Sequence, residues 1–374
     1  MATGRFPTTA NSPLTAKGDL FTFSTGSAKL AVGNDGEQIV ADSATTTGLR
    51  YQGSYAAGKN AVINGAFDVW QRGTTFSNPA DGAFTADRIS LIHDGTGATR
   101  TISQQALAPA TITGYDSRYY YRYAVSAAGT GNTYQRFGTK IENVQNLTGT
   151  ITVSFWAKAD ASRTLSFQLD QYYGSGGSSA TVGLQLSSMA AVTTSWQRFS
   201  ATGTLASISG KTIGDGSYVY AYFALPSGTT LTVDIAGFQI EQGSVATGFT
   251  RSTGTLQGEL AACQRYFQVF GNGTSLYQMF GVGTVESATN AFVTISLPVT
   301  MRTQPSAAFK SASGFTLLGF GTVSNANMFF DTAQSGRGII CFGTIAASGM
   351  TAYRAVYFRA NNDTTACIEL SGEL

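Results

Sequence analysis

Ile151-Thr152-Val153-Ser154-Phe155-Trp156-Ala157 puts Ile151, Val153, Phe155 and Ala157 on one side of an extended chain and Thr152, Ser154 and Trp156 on the other. Tyr218-Val219-Tyr220-Ala221-Tyr222-Phe223 and Leu231-Thr232-Val233-Asp234-Ile235 alternate in the same way. A period of two marks strands with one wet face. Several such stretches between about 61 and 250, separated by Gly or Ser turns with no long helical pattern between them, predict two antiparallel sheets packed face to face, as in a jelly roll. Composition agrees: the 374 residues are 43% hydrophobic, 12% aromatic and only 12% charged, with 44 Gly and 7 Pro. That is too apolar for a disordered chain, suits short strands joined by glycine turns, and is long enough for two or three domains.

The net charge of +2 arises from 23 basic and 21 acidic residues scattered along the chain. Without a Lys/Arg stripe to neutralise a phosphate backbone, nucleic acid is not an expected partner. No apolar run reaches the roughly 20 residues that cross a bilayer, so membrane insertion is not expected. The polar start Met1-Ala2-Thr3-Gly4-Arg5 lacks the order of a secretory signal, so synthesis and release in a cytoplasm are expected. Cys263, Cys341 and Cys367 are odd in number and widely spaced, which predicts buried thiols rather than disulfides or a zinc site. The single histidine, His93, excludes multi-histidine metal sites and is expected in an exposed loop.

Residues 1–60 carry only small apolar clusters, too sparse for a core, and are expected to order against a partner or copies of themselves. Asn34-Asp35-Gly36 resembles a hairpin turn between Leu30-Ala31-Val32 and Gln38-Ile39-Val40. Over 251–270, Leu256, Leu260, Cys263, Phe267 and Phe270 recur at steps of four and three, predicting a short amphipathic helix. Such a helix must pack on something: either its own domain, or its counterparts from two other chains on a shared axis. Phe292-Val293-Thr294-Ile295-Ser296-Leu297 restores alternation within 271–374, a distal β domain. The expected fold class is therefore mainly β, a jelly-roll sandwich over 61–250 and a distal β domain joined by a helical collar, in a homotrimer.

Sugar recognition sets flat aromatic rings against C–H faces, with amides and carboxylates on the hydroxyls. The candidates are Tyr119 and Tyr121 in the run of tyrosines, and Gln168, Asp170, Tyr172 and Tyr173 before the Gly-Ser turn; core packing or subunit contact is the alternative for each. Cleavage of a glycan needs two carboxylates across a cleft. Asp170, Asp215 and Glu142 form no such signature, and no phosphate-binding loop ending is present, so an enzyme is not expected.

Four stretches together resemble tailed-bacteriophage tail-fibre and virion structural proteins with a carbohydrate-binding-module-like jelly roll. They are Asn60 to Phe76 followed by Thr85-Ala86-Asp87-Arg88; the strands around Trp156, Trp196 and Val233 to Gly243; the Glu-Leu-Ala-Ala-Cys-Gln-Arg-Tyr-Phe run at 259–267; and Ser12 to Leu20 with Leu30-Ala31-Val32-Gly33. The resemblance implies a homotrimeric virion component, attached to other virion proteins through residues 1–60, that presents β domains to host surface glycan. Its trimer contacts would be Leu256, Leu260, Cys263, Phe267 and Phe270. It also implies structural calcium in some members, for which Asp68 and Asp234 are candidates. A head fibre, decoration protein or tail adaptor that binds only virion proteins is the alternative, and a glycan depolymerase a third. The distal domain, opposite the attachment signature, is the first expectation for receptor contact.

Overall fold

The computed structural model describes residues 12–33, 37–43, 45–53, 58–271, 273, 275–311, 314–319, 321–324, 327–345 and 350–374. Two separate hairpins come first. Strand β1 (Leu20–Phe23) pairs with β2 (Ser27–Leu30), and β3 (Glu37–Ala41) with β4 (Leu49–Gly53). The turn expected at Asn34-Asp35-Gly36 lies outside the described residues, and the strands flanking it pair away from it, each within its own hairpin. Asp19 holds the first hairpin together: its carboxylate accepts the backbone N–H of Thr15 and Ala16 at 2.9 Å and meets Lys29 Nζ at 3.2 Å.

The alternating stretches then form the sandwich. Its strands are β5 (Thr75–Ser77), β6 (Ile89–His93), β7 (Thr99–Ala106), β8 (Tyr119–Ala127), β9 (Gln135–Glu142), β10 (Thr150–Ala159), β11 (Arg163–Tyr172), β12 (Thr181–Val192), β13 (Gln197–Thr204), β14 (Tyr218–Leu225) and β15 (Leu231–Gln242). They make a six-stranded sheet ordered β13-β10-β15-β8-β7-β5 and a five-stranded sheet ordered β12-β11-β14-β9-β6. The two inner faces share one core. Phe155 meets Phe223 and Tyr121 meets Phe137, each at 4.7 Å between ring centroids, and Phe223 meets Phe238 at 4.9 Å. In strand β15 a bulge at Gly237 shifts the alternation by one residue, so that Leu231, Val233 and Ile235 and then Phe238 and Ile240 face the core; the φ of 59° and missing Cβ of Gly237 admit the Trp156 ring, which a Cβ there would meet at 2.7 Å. Trp156 thereby turns outward. With Leu107, Ile112, Tyr115, Tyr120 and Ala236, and with Trp196 and Phe249 packed against them, it seals part of the outer face of the six-stranded sheet.

Beyond the sandwich lies helix α1 (Leu256–Gln264), the single α-helix among the described residues. Thr255 caps it, its hydroxyl accepting the N–H of Gly258 at 3.0 Å. The distal domain adds β16 (Phe267–Gly271), β17 (Met279–Val285), β18 (Asn290–Ser296), β19 (Ser306–Lys310), β20 (Phe315–Gly319), β21 (Gly321–Ser324), β22 (Asn327–Phe330), β23 (Ile339–Ile345), β24 (Ala355–Ala360) and β25 (Cys367–Ser371). A three-stranded sheet, β16-β25-β19, and a seven-stranded one, β21-β20-β24-β17-β18-β23-β22, enclose Met301, Phe342, Phe358 and Ile368. The helical expectation for Phe267 and Phe270 is thus corrected: both lie on β16, paired with β25. Cys263 and Phe267 are buried within the chain, and Phe270 packs on the distal core. The heptad spacing misled because aromatic residues that favour a strand follow the helix directly. Leu256 and Leu260 are 53% and 39% exposed, while the face of α1 turned into the molecule carries Glu259 and Cys263.

The motif residues build a polar junction between sandwich, helix and distal domain. Asn64 Nδ2 donates to the carbonyls of Val69 at 2.8 Å and Asp87 at 3.0 Å, and the Asn64 backbone N–H donates to Glu259. Gln71 donates to Asp87 through its backbone and side-chain N–H groups, and to the Phe267 carbonyl at 2.9 Å. Arg72 and Arg88 both donate to Glu373, and Arg265 and Tyr266 to Glu142.

Burial pushes the Asp87 carboxyl up to about 6, against the pull of the Arg72 guanidinium. A folded-state value above the unfolded one means that the folded protein holds the proton longer, so this group's stabilising contribution is present in acid and lost as pH rises from about 4 through 6. Asp87→Asn is expected to flatten the decline of melting temperature across that interval. Melting curves of both proteins between those pH values check it.

Candidate functional site

The outer face of the five-stranded sheet is fixed by register. Along β14, Val219, Ala221 and Phe223 point into the core, so Tyr218, Tyr220 and Tyr222 point away from it. Strand β11 sets Tyr172 beside Tyr218, Asp170 beside Tyr220 and Gln168 beside Tyr222. On the other side, β9 sets Glu142 beside Tyr218, Lys140 beside Tyr220, Gly138 beside Tyr222 and Arg136 beside Ala224. Gly138 is required there, since a Cβ would fall 2.6 Å from the Cβ of Tyr222.

The tyrosines stack in pairs, Tyr172 on Tyr218 at 4.7 Å and Tyr220 on Tyr222 at 4.8 Å. Tyr220 and Tyr222 are buried and form a floor, whereas Tyr172 and Tyr218 are half-exposed. The Tyr222 hydroxyl lies 2.7 Å from Gln168 Oε1 and 3.2 Å from Asp170 Oδ2. Burial, then the Asp170 carboxylate, pushes the Tyr222 phenol up to about 12, so it remains a donor at neutral pH. Arg136 lies between two rings, 4.8 Å from that of Tyr222 and 5.2 Å from that of Tyr134, and Lys140 Nζ lies 4.8 Å from the Tyr218 ring. The whole is a shallow aromatic surface edged with an amide and cations, with the Asp170 carboxylate buried beneath it; ring faces and amides suit sugar faces and hydroxyls.

Of the sequence candidates, Gln168, Asp170 and Tyr172 come together here. Tyr173 does not: one residue on, it points into the core, its hydroxyl 3.1 Å from that of Thr181. Tyr121 is also a core residue, bonded to Thr85 at 3.0 Å, and Tyr119 is half-buried on β8 in the opposite sheet. The face that carries Tyr121 and Tyr123 is the core face, because Arg122 points outward to Asp234 and fixes the parity of the strand. Tyr218, Tyr220, Tyr222, Arg136 and Lys140 were missed. For the tyrosines the signal was the outer side of a stretch already legible as a strand; Arg136 and Lys140 lie on β9, which the sequence reading does not single out.

The pairing of Asp68 with Asp234 for calcium is likewise corrected. Asp68 accepts from Arg251 at 2.7 Å and Ser117 at 2.9 Å, and Asp234 from Arg122 at 2.7 Å with Lys158 at 3.6 Å. Two different guanidinium groups already neutralise these carboxylates, and among the described residues no group of three or more acidic, Cys or His side chains converges. The three cysteines are free and buried, as expected. His93 ends strand β6, half-buried, its Nε2 3.1 Å from the Pro79 carbonyl, rather than lying in an exposed loop.

No protein-family model matches the chain, and no curated protein is similar to it. Among solved structures, a family 4 carbohydrate-binding module ("CBM4 structure and function") is 18% identical, over 48% of this chain and 99% of that one, with a TM-score of 0.30. The CBM22-1 xylan-binding domain of Paenibacillus barcinonensis Xyn10C is 13% identical over 51% of this chain and 98% of that one, TM-score 0.30. The enzymatically active domain of bacteriophage CBA120 tailspike protein 4 is 15% identical over 49% of this chain and 21% of that one, TM-score 0.31.

Proposed function

We propose that the chain is a noncatalytic virion protein of a tailed phage, a tail fibre or receptor-binding protein, that attaches to host surface glycan. The observation that carries the glycan part is the half-exposed Tyr172–Tyr218 pair, with Gln168 and Asp170 on the next strand positions. Sequence alone favours the distal domain for receptor contact, whereas the tyrosine face supports a reading in which the sandwich makes it. The homotrimer is supported by Leu256 and Leu260, apolar residues left in water on a helix whose inner face is already occupied. Threefold association would make weak glycan sites multivalent.

A glycan array with the intact protein tests this. Tyr172→Ala and Tyr218→Ala are each expected to weaken binding by about 2 kcal/mol, roughly thirtyfold, with unchanged melting temperature. Silence of the intact protein across the array and on host cells would refute glycan attachment. Release of reducing sugar from a bound glycan would refute the noncatalytic part.

A second reading rests on a different observation. Two-stranded hairpins are marginal in water, and the first one here leaves Phe21 and Phe23 exposed at 49% and 72%. Such a segment needs a covering partner, which suits a head fibre, decoration protein or adaptor held by other virion proteins. Locating the protein on intact particles separates the two roles.

A further inference from the structure

On the opposite side of the sandwich from the tyrosine face, the loop between β7 and β8 folds over the six-stranded sheet. This loop and the segment that follows β15 bound a cavity of about 640 Å³. Small-molecule sites span roughly 300–1,000 Å³ and combine apolar walls with a few polar groups. Ile112, Tyr115 and Phe249 supply the apolar wall here. The Tyr115 ring meets that of Phe249 edge-on at 5.2 Å, and Trp156 backs it at 5.0 Å. The two sides of the cavity are tied to one carboxylate. Asp68 accepts from Arg251 Nε at 3.1 Å and Nη2 at 2.7 Å on one side, and from the Ser117 hydroxyl at 2.9 Å on the other. The Tyr115 hydroxyl accepts the Gly237 N–H at 3.0 Å, which fixes its ring.

Three features of the lining serve no purpose within the chain. Thr250 is 7% exposed, and its backbone is satisfied in both directions, by Gln239 at 2.8 Å and Asn60 at 3.0 Å. Its hydroxyl has no partner among the described residues. Asp116 is exposed and likewise makes no hydrogen bond or ion pair among them. Ala110 is held at a φ of 62°, in the left-handed region that disfavours any side chain, and such strain gathers at ligand-binding positions. Because Asp68 matches the charge of Arg251, the unmatched groups are a carboxylate that only accepts and a hydroxyl. A ring with C–H faces and an edge of hydroxyl donors suits both the aromatic wall and these groups.

We propose that this cavity is a second carbohydrate site, which takes a neutral sugar unit with its C–H face against Phe249 and a hydroxyl donating to Asp116. It shares the ligand class of the tyrosine face and none of its residues, so the two sites stand or fall separately.

The test is titration calorimetry of the full chain carrying Tyr172→Ala and Tyr218→Ala, which silences the tyrosine face. The ligands are neutral mono- and disaccharides of glucose, galactose, mannose and N-acetylglucosamine, with choline and galacturonate as cationic and anionic controls. At least one neutral sugar is expected to bind. Adding Phe249→Ala, or Thr113→Trp at an exposed position of the lining, should weaken it roughly tenfold, and Asp116→Asn about fivefold. Thr113→Trp and Asp116→Asn alter surface side chains, so unchanged melting temperatures separate lost binding from lost fold. Sugar binding that survives Thr113→Trp would lie elsewhere and overturn the proposal. Choline or galacturonate bound more tightly than every neutral sugar would overturn the ligand class. Absence of sugar binding in the tyrosine variant would overturn this site, while binding by the intact protein would leave the tyrosine face standing; silence of both would remove the two together.

Discussion

Replacing Arg88 with methionine is expected to destabilise the protein by about 3–5 kcal/mol, because it strips one partner from a buried ion pair. Arg88 is 2% exposed, donates to Glu373 and to the Lys140 carbonyl at 2.6 Å, and lies 3.6 Å over the Tyr266 ring. Without it Glu373 keeps only Arg72, and a carbonyl on β9 loses its donor. Much of the cost is the leftover buried charge, so adding Glu373→Gln should recover part of it. The two changes are expected to couple by about 0.5–3 kcal/mol in a double-mutant cycle read by urea unfolding. Simple additivity would show that the junction does not act as one network.

The protein is expected to be a trimer in solution, and Leu256→Glu together with Leu260→Glu is expected to reduce it to monomers. One turn of α1 separates the two leucines, and both remain in water while Glu259 accepts the backbone N–H groups of Asn64 and Thr253 inside the molecule. Burying a leucine side chain yields roughly 1.5–3 kcal/mol, so two leucines from each of three chains make a sizeable driving force. Multi-angle light scattering of both proteins checks this. A monomeric parent protein would remove the collar, and a trimeric double variant would move the contact elsewhere on the chain.

Much of the sandwich was legible because its strands alternate, but the expected wet face is corrected: β10, β14 and β15 are buried on both sides, their outer faces covered by further side chains. The period of two in 151–157, 218–223 and 231–235 places the observed strands, and parity alone turns Val153 and Phe155 inward. In the tyrosine run parity groups the residues but does not say which group faces the core. Nothing local says whether Tyr121 or Arg122 faces the core; the choice is made by Asp234, on a strand more than a hundred residues later. The candidate site was half legible for the same reason. Gln168, Asp170 and Tyr172 stand together in sequence, but Tyr218 joins them through the antiparallel register of β11 and β14, which a single sequence does not display. For the helix, period four-three continued past Gln264 into a strand, and the buried Glu259 shows that capping and backbone contacts, rather than an apolar stripe, set the inner face.

The paired rings on β11 and β14 hold one another in place before any ligand arrives. Their rotamer freedom is lost during folding, so on the proposed reading capture of a sugar chain would order little further protein, and encounter would require no rearrangement of these rings. Differences among sugars should then register in dwell time more than in capture rate. A particle studded with such surfaces would sample a cell envelope by frequent brief touches and settle where release is slowest.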